Sequence, residues 1–334
     1  MGQTQEPLVS ICCITYNHED YIRDTIESFL MQETDFQFEI VIHDDASTDR
    51  TAEIIREYEK RYPDIIKPIY QTENQYSRSG NSCIVPTIFT FKAARGKYLA
   101  LCEGDDYWID PLKLQKQITE MAKHPECYIS FHPAIMRWEG ENGEDEVLGL
   151  HSDKTTIFPI EEVISWWGVF MPTASIVIHR LAIPRIISFF SIARDAPVGD
   201  YYIQVLGAEN GGALYLNDVM SVYRYMVPGS WTEDIKEDSS RQGSWLRLSI
   251  QTHDKLNAFT DHKYSELFDT RKKRYYSHVI RLPFLDITIK ENIIDANFDN
   301  IDIRDRILWD TVYKRPSIVN ILLGMRRFVA NRQS

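Results

Sequence analysis

Over residues 1–125, short β-rich runs alternate with stretches of helical periodicity, an order that a mainly parallel sheet covered by helices accommodates. Val9–Thr15 is almost continuously apolar, as a central strand is. From His18 to Gln32, Ile22, Ile26, Phe29 and Leu30 recur at helical spacing. A second strand, Phe38–His43, leads into Asp44-Asp45-Ala46-Ser47-Thr48-Asp49, which caps a helix carrying Ile54, Ile55 and Tyr58. Ile66–Tyr70 reads as a strand, Pro86–Ala94 as a helix and Lys97–Cys102 as a fourth strand. That strand stops at Glu103-Gly104-Asp105-Asp106, and Asp110-Pro111 then opens another helix with an N-cap and a first-turn proline. In such doubly wound sheets ligands bind beyond the carboxyl ends of the strands, where Tyr16-Asn17, Asp44-Asp45 and Asp105-Asp106 all fall.

After residue 125 the alternation loosens. Cys127–Phe131, Ser175–His179, Ala213–Leu216 and Val219–Tyr225 read as strands, and Glu139–Glu146 as a solvated acidic tip. Beyond Trp231 the chain turns polar and helical, so the expectation is one domain over 1–230, in halves of about 1–125 and 126–230, and a helical extension over 231–334. From Thr311 to Ser334, Lys314, Arg315, Arg326, Arg327 and Arg332 accompany Ile318, Ile321, Leu322, Met325 and Val329, the pattern of a basic amphipathic helix able to touch a membrane surface.

Composition narrows the function. The 334 residues hold 37 Lys plus Arg against 49 Asp plus Glu, a net charge of −12 that disfavours nucleic acid as a partner. Five cysteines without a C-x-x-C give neither a disulfide framework nor a zinc site, which fits a reducing cytoplasm. Met1–Pro7 lacks the features of a signal peptide, and the uncharged stretch Val163–Ile178 is shorter than the roughly 18 apolar residues of a membrane span. The expected location is cytoplasmic, with a peripheral position at the cytoplasmic membrane face if the last helix docks there.

Two acidic pairs at neighbouring strand ends repel one another unless a cation or hydrogen-bond donors sit between them. Mg²⁺ or Mn²⁺ is typically held by one or two carboxylates plus phosphate oxygens, and Asp105 and Asp106 supply that number. Asp44 and Asp45 can accept from a nucleobase or ribose. Neither G-x-G-x-x-G after the first strand nor G-x-x-x-x-G-K-[ST] occurs, so phosphate neutralisation falls to a metal. Arg78 is placed to reach a donor phosphate. Trp166, Trp167 and Trp231 are candidates for stacking on sugars, and Tyr107-Trp108 for walling a donor site.

Taken in order, Pro7-Leu8-Val9-Ser10-Ile11, Thr15-Tyr16-Asn17, Ile42-His43-Asp44-Asp45-Ala46-Ser47-Thr48-Asp49 and Gly96-Lys97-Tyr98 through Glu103-Gly104-Asp105-Asp106-Tyr107-Trp108 with Asp110-Pro111 resemble the motifs of family 2 inverting glycosyltransferases of the GT-A fold. The resemblance implies an α/β, doubly wound, mainly parallel sheet flanked by helices, and transfer of a sugar from a nucleotide-diphosphate donor. It implies donor contacts at Thr15, Tyr16, Asn17, Asp44, Asp45 and Asp105. Asp106, with Asp105, would bind a divalent cation, Mn or Mg. The family's general base matches Asp200 in Pro197-Val198-Gly199-Asp200-Tyr201-Tyr202. A UDP-sugar is the favoured donor, and a glycan or lipid-linked acceptor in surface polysaccharide synthesis the favoured partner. Two departures stand out: Tyr223-Arg224 is followed by Tyr225-Met226 where the family commonly has a metal-assisting His, and Gln242-Gly243-Ser244-Trp245 lacks the Arg of the processive Q-x-x-R-W, which favours single-sugar transfer. A sugar nucleotidyltransferase, or a non-catalytic glycan-binding protein of the same fold, is the alternative.

Overall fold

The computed structural model describes residues 6–79, 84–139, 143–166, 168–282 and 285–314. The first half runs β1 (Val9–Thr15), α1 (Ile22–Leu30), β2 (Phe38–Asp44), α2 (Thr51–Arg61), β3 (Ile66–Tyr70), a one-turn α3 (Gln75–Arg78), α4 (Ile84–Ala93), β4 (Tyr98–Glu103), β5 (Tyr107–Trp108) and α5 (Lys113–Lys123). The second continues with β6 (Ile129–Phe131), β7 (Ala134–Trp138), β8 (Glu146–Leu148), β9 (Thr156–Phe158), α6 (Ile160–Ser165), β10 (Val177–His179), α7 (Ile183–Ile192), α8 (Asp200–Ala208), β11 (Ala213–Tyr215) and β12 (Ser221–Tyr225). The extension is helical: α9 (Trp231–Glu237), α10 (Ser239–Phe259), α11 (Ser265–Arg281), α12 (Ile287–Asp295) and α13 (Ile303–Trp309).

Eight strands form one sheet in the order β3-β2-β1-β4-β10-β6-β11-β9. β1, β2, β3 and β4 are mutually parallel, β10 runs against β4 and β6, and β11 returns parallel to β6. Alternate side chains of each strand feed opposite faces. Val9, Ile11 and Cys13 join Ile26, Phe29 and Ile55 on one side, whereas Cys12, Leu99 and Leu101 join Phe91 and Ile178 on the other. The mainly parallel, helix-flanked sheet is as expected, and it aligns the ends of β1, β2 and β4 along one edge.

A second sheet, β5-β12-β7-β8, was not foreseen. It diverts the predicted strand Val219–Tyr225 away from the main sheet and presses β12 against the end of β4. Two helix starts also shift. α1 begins at Ile22 because the His18 N–H is taken by Thr51 Oγ1 at 2.7 Å and the intervening residues form a turn. α5 begins at Lys113, with Asp110 accepting from the Leu112 N–H at 2.8 Å in the turn before it. Trp108, expected to wall a ligand site, is core instead, packed on Phe29 with its indole N–H bonded to Ala174 O at 2.9 Å.

The extension has an apolar cluster of its own, including Leu246, Tyr276, Ile280, Ile294 and Trp309, but Leu256, Tyr264 and Phe268 enter the core shared with Phe189 and Tyr202. Most of the predicted basic tail, residues 315–334, lies outside the described residues. Its Lys314 pairs with Glu291 at 3.1 Å and Asp295 at 2.9 Å. Among the described residues no helix is long and apolar enough to cross a membrane.

One buried polar joint ties the extension to the sheet-bearing part of the chain. Arg271 of α11 donates Nε–H to His253 Nε2 at 2.6 Å, while His253 Nδ1 lies 2.5 Å from Ser249 O. This pairing requires a neutral imidazole that accepts at Nε2 and donates at Nδ1. Burial, followed by the charge of Arg271, pulls the His253 pKa from 6.5 down to about 3. Between those values the unfolded chain binds a proton that the folded chain excludes, so stability present above about pH 6.5 is lost as pH falls toward 3. The predicted loss from this residue is about 2 to 3 kcal/mol at roughly pH 4.5, taking 1.36 kcal/mol per pKa unit. Urea titrations of wild type and His253→Gln across this range should show a shallower pH dependence in the variant, whose amide keeps both hydrogen bonds.

Candidate active site

The β1 and β2 ends are stitched into one surface. Asn17, in the left-handed region at φ 55°, accepts from Thr48 N–H through Oδ1 at 2.8 Å, and its own N–H donates to Ser47 Oγ at 2.9 Å. Tyr16, beside it, is exposed, whereas Thr15 is buried with Oγ1 unpartnered. Asp45 uses both carboxylate oxygens to accept from the Gln75 and Tyr76 N–H groups at 2.7 and 2.9 Å, so it organises α3. Asp44 is different: it is 2% exposed and its Oδ1 has no partner. Burial raises its pKa against the opposing hydrogen bond from Ser47. The acceptor capacity left for a ligand at this end therefore belongs to Asp44. Arg78 ends α3 in an exposed ion pair with Glu73 at 2.6 Å.

At the end of β4 three acids occur within four residues. Asp106 is 1% exposed; burial first, then Asp105 and Glu103, push its pKa well up. Glu103 rises to about 8 through burial and the charges of Asp105 and Asp200. Asp105 points a buried Oδ1 at no partner.

The acids are held from the second sheet. Arg224 of β12 donates its backbone N–H to Asp106 Oδ1 at 2.9 Å and Nη1–H to Asp105 O at 2.7 Å. Its guanidinium reaches Asp24 at 2.8 Å and Glu139 at 3.3 Å, and lies over Tyr21 and Tyr107. Glu139, expected at a solvated tip, is thus drawn into the site's frame. From the β1 side His18 Nε2 stands 3.8 Å from Asp105 Oδ2, with Nδ1 buried and unpartnered. Gly104 makes this approach possible: a Cβ there would lie 2.5 Å from Thr15 Oγ1 and 2.9 Å from His18 Nδ1.

Asp200 is the first residue of α8, with Oδ1 accepting from the Tyr201 N–H at 2.8 Å. Burial raises its pKa, opposed by backbone N–H groups and by Arg271. The charge of Asp200 contributes, after burial and Asp105, to the raised pKa of Glu103, so the start of α8 and the end of β4 share one electrostatic environment. Gly168 lines its other side, where a Cβ would lie 3.0 Å from Asp200 Oδ2.

Among the described residues no group of three or more His, Cys, Asp or Glu side chains is arranged to hold a metal ion alone. The donor set still fits a hard divalent cation that brings phosphate oxygens with it, because Asp105 offers a buried orphan oxygen and the neighbouring acids are raised by mutual repulsion.

Sequence reasoning placed Asp44, Asp105, Asp106 and Asp200 at this edge but assigned no role to Glu103, His18, Arg224, Gly104 or Arg271. Glu103 had a signal, since it ends the same apolar strand as the pair. Arg224 had a weaker one, a cation inside a strand that needs an anion to be buried. Arg271 had none.

Gly104→Ala should force Thr15 and His18 away from the acidic loop, at a cost of about 1 to 3 kcal/mol for overpacking. Differential scanning fluorimetry should show a lower Tm for the variant, with a smaller upward shift on adding UDP and Mn²⁺ than in wild type.

Residues 10–146 match the model of glycosyl transferase family 2. An uncharacterized protein of Mycobacterium tuberculosis is 37% identical over 225 residues, 67% of this chain and 60% of that protein, so the chain spans about 60% of that relative's length. TuaG of Bacillus subtilis, a putative teichuronic acid biosynthesis glycosyltransferase, is 36% identical over 126 residues, 38% of this chain and 46% of TuaG. Among solved structures, residues 1–349 of S. aureus TarS in complex with UDP-GlcNAc superpose with a TM-score of 0.54 at 15% identity, covering 90% of this chain and 83% of that one. The mannosyltransferase PcManGT from Pyrobaculum calidifontis, in complex with GDP-Man and Mn²⁺, gives 0.52 at 15% identity, covering 91% and 79%. At that identity these structures speak for the fold. With the ordered motifs and the sheet, residues 10–146 match glycosyl transferase family 2 and the chain has the GT-A architecture.

Proposed function

We propose that this chain transfers a single sugar from a nucleotide-diphosphate sugar, a UDP-sugar first among them, to a hydroxyl of a glycan or lipid-linked acceptor, with inversion. The observation that carries the reading is the acidic loop at the end of β4, where Arg224 fixes Asp106 at 2.9 Å and Asp105 keeps a buried oxygen without a partner, with Asp200 at the start of α8 as the further buried acid. One acid group suits a diphosphate and its cation, and the other suits an acceptor hydroxyl. TarS with UDP-GlcNAc and PcManGT with GDP-Man and Mn²⁺ show the same architecture serving nucleotide sugars in those proteins. The similarity to TuaG, a putative teichuronic acid biosynthesis glycosyltransferase, supports an assignment to surface polysaccharide. A cytoplasmic, membrane-peripheral position through the basic tail belongs to this proposal too.

Asp44 accepts from the base or ribose, with Tyr16 exposed beside it and Asp45 holding the loop that follows. Asp105 and Asp106 would hold Mn²⁺ or Mg²⁺, which when bound supplies charge neutralisation for the departing diphosphate. Arg224 fixes Asp106 in place for that purpose. Asp200 takes the proton of the acceptor hydroxyl as the new bond forms, and its raised pKa makes it a stronger base than an ordinary carboxylate.

The test is a panel of nucleotide sugars, with Mn²⁺ or with EDTA, followed by nucleoside diphosphate release. Asp200→Asn should lower transfer about 10²- to 10⁴-fold, the usual contribution of a general base, while nucleotide still raises the Tm. Asp106→Ala should lose the Mn²⁺-dependent part of nucleotide binding. Indifference of the wild type to every donor, or full turnover in both variants, would refute the proposal.

A further inference from the structure

We infer that the indole of Trp166 is a platform for a sugar ring of the acceptor, held beside the proposed base by a residue of the helical extension. The inference rests on the function proposed above and adds the acceptor's binding subsite.

Trp166 follows α6 and is 46% exposed, a large apolar face left in water. It is nonetheless firmly backed. Its ring meets His151 edge-on at 5.5 Å and Phe170 at 6.0 Å, and His151 is itself stacked on Phe170 at 4.2 Å with Nε2 2.8 Å from Phe170 O. The backbone beneath it is pinned as well. Its carbonyl accepts from Arg271 Nη1, a group that also donates to Ile164 O at 3.3 Å, and the guanidinium lies 4.0 Å over the Tyr201 ring of α8. Arg271 is only 2% exposed, so this clamp is shielded from water.

Two residues further on, Gly168 borders the Asp200 carboxylate, and its carbonyl accepts from Gln204 Nε2–H at 2.8 Å. Consecutive Cα atoms are 3.8 Å apart, so the Trp166 backbone lies within about 8 Å of Gly168. A sugar whose hydroxyl reaches Asp200 would therefore have its ring over this loop. The face of a pyranose carries C–H bonds with partial positive charge, which suit the negative face of an indole. Because the stack and the clamp fix the indole beforehand, little ordering cost remains on binding. Trp231, also exposed, packs edge-on against Trp245 within the extension, away from Gly168 and Asp200 in sequence.

The test uses the full chain and methyl glycosides of glucose, galactose, mannose and N-acetylglucosamine as probes, read by saturation-transfer NMR. At least one glycoside should bind wild type, with a signal reduced about fivefold or more in Trp166→Ala and largely retained in Trp166→Phe, where an aromatic face remains. Trp166→Gln serves as a second loss variant if the alanine protein does not fold. Equal binding by wild type and a loss variant, or no glycoside bound by wild type, overturns the inference. Nucleotide-sugar turnover is measured separately, so its absence would count against the proposed function while glycoside binding at Trp166 would still be read directly.

Discussion

The structure is organised around a repulsion. Glu103, Asp105 and Asp106 leave the end of one central strand together, in a site dry enough to lift Glu103 to about 8 and Asp106 well above its ordinary range. Left alone, such a loop would splay toward solvent. It stays because Arg224 grips it from a different sheet, and because Gly104 lets the β1 loop close over it. The small sheet β5-β12-β7-β8 can be understood as the support for that grip: β5 directly follows the acids, β12 carries Arg224, and Tyr107 lies under the guanidinium. The repulsion that remains is one that a bound cation would relieve.

How much of this was legible depended on sequence distance. The first four sheet strands and their helices were readable because each is long enough to show its period, and β1, β2 and β4 carry runs of Val, Ile, Leu and Cys that only a buried strand tolerates. The second sheet was not, since Tyr107–Trp108 and Glu146–Leu148 are too short for alternation to register. The acids at the strand ends were legible by position alone. Their partners were not: Arg224 meets Asp106 across 118 residues and Arg271 meets Ile164 across 107. Asp44 and Asp45 show the same limit at close range, because only the fold reveals that one is spent on α3 and the other keeps a free oxygen.

The extension also changes meaning in three dimensions. By sequence it is a polar helical appendage. In the fold, Leu256, Tyr264 and Phe268 complete a core begun by the sheet's helices, and Arg271 with His253 forms the buried joint under Tyr201. The neutral imidazole at that joint lets a guanidinium be buried without a carboxylate accepting from its Nε, leaving Asp200 as the anion whose pKa it lowers across the gap.

Gly104 and Arg271 serve different parts of the molecule. The glycine lets the β1 and β4 loops pack together, while the arginine holds the Ile164 and Trp166 carbonyls from the helical extension. Substitutions along α10 and α11 would bear on the loop that Arg271 holds, and changes around Gly104 on the packing of the β1 and β4 loops, so strain introduced at one has no shared contact among the described residues through which to reach the other.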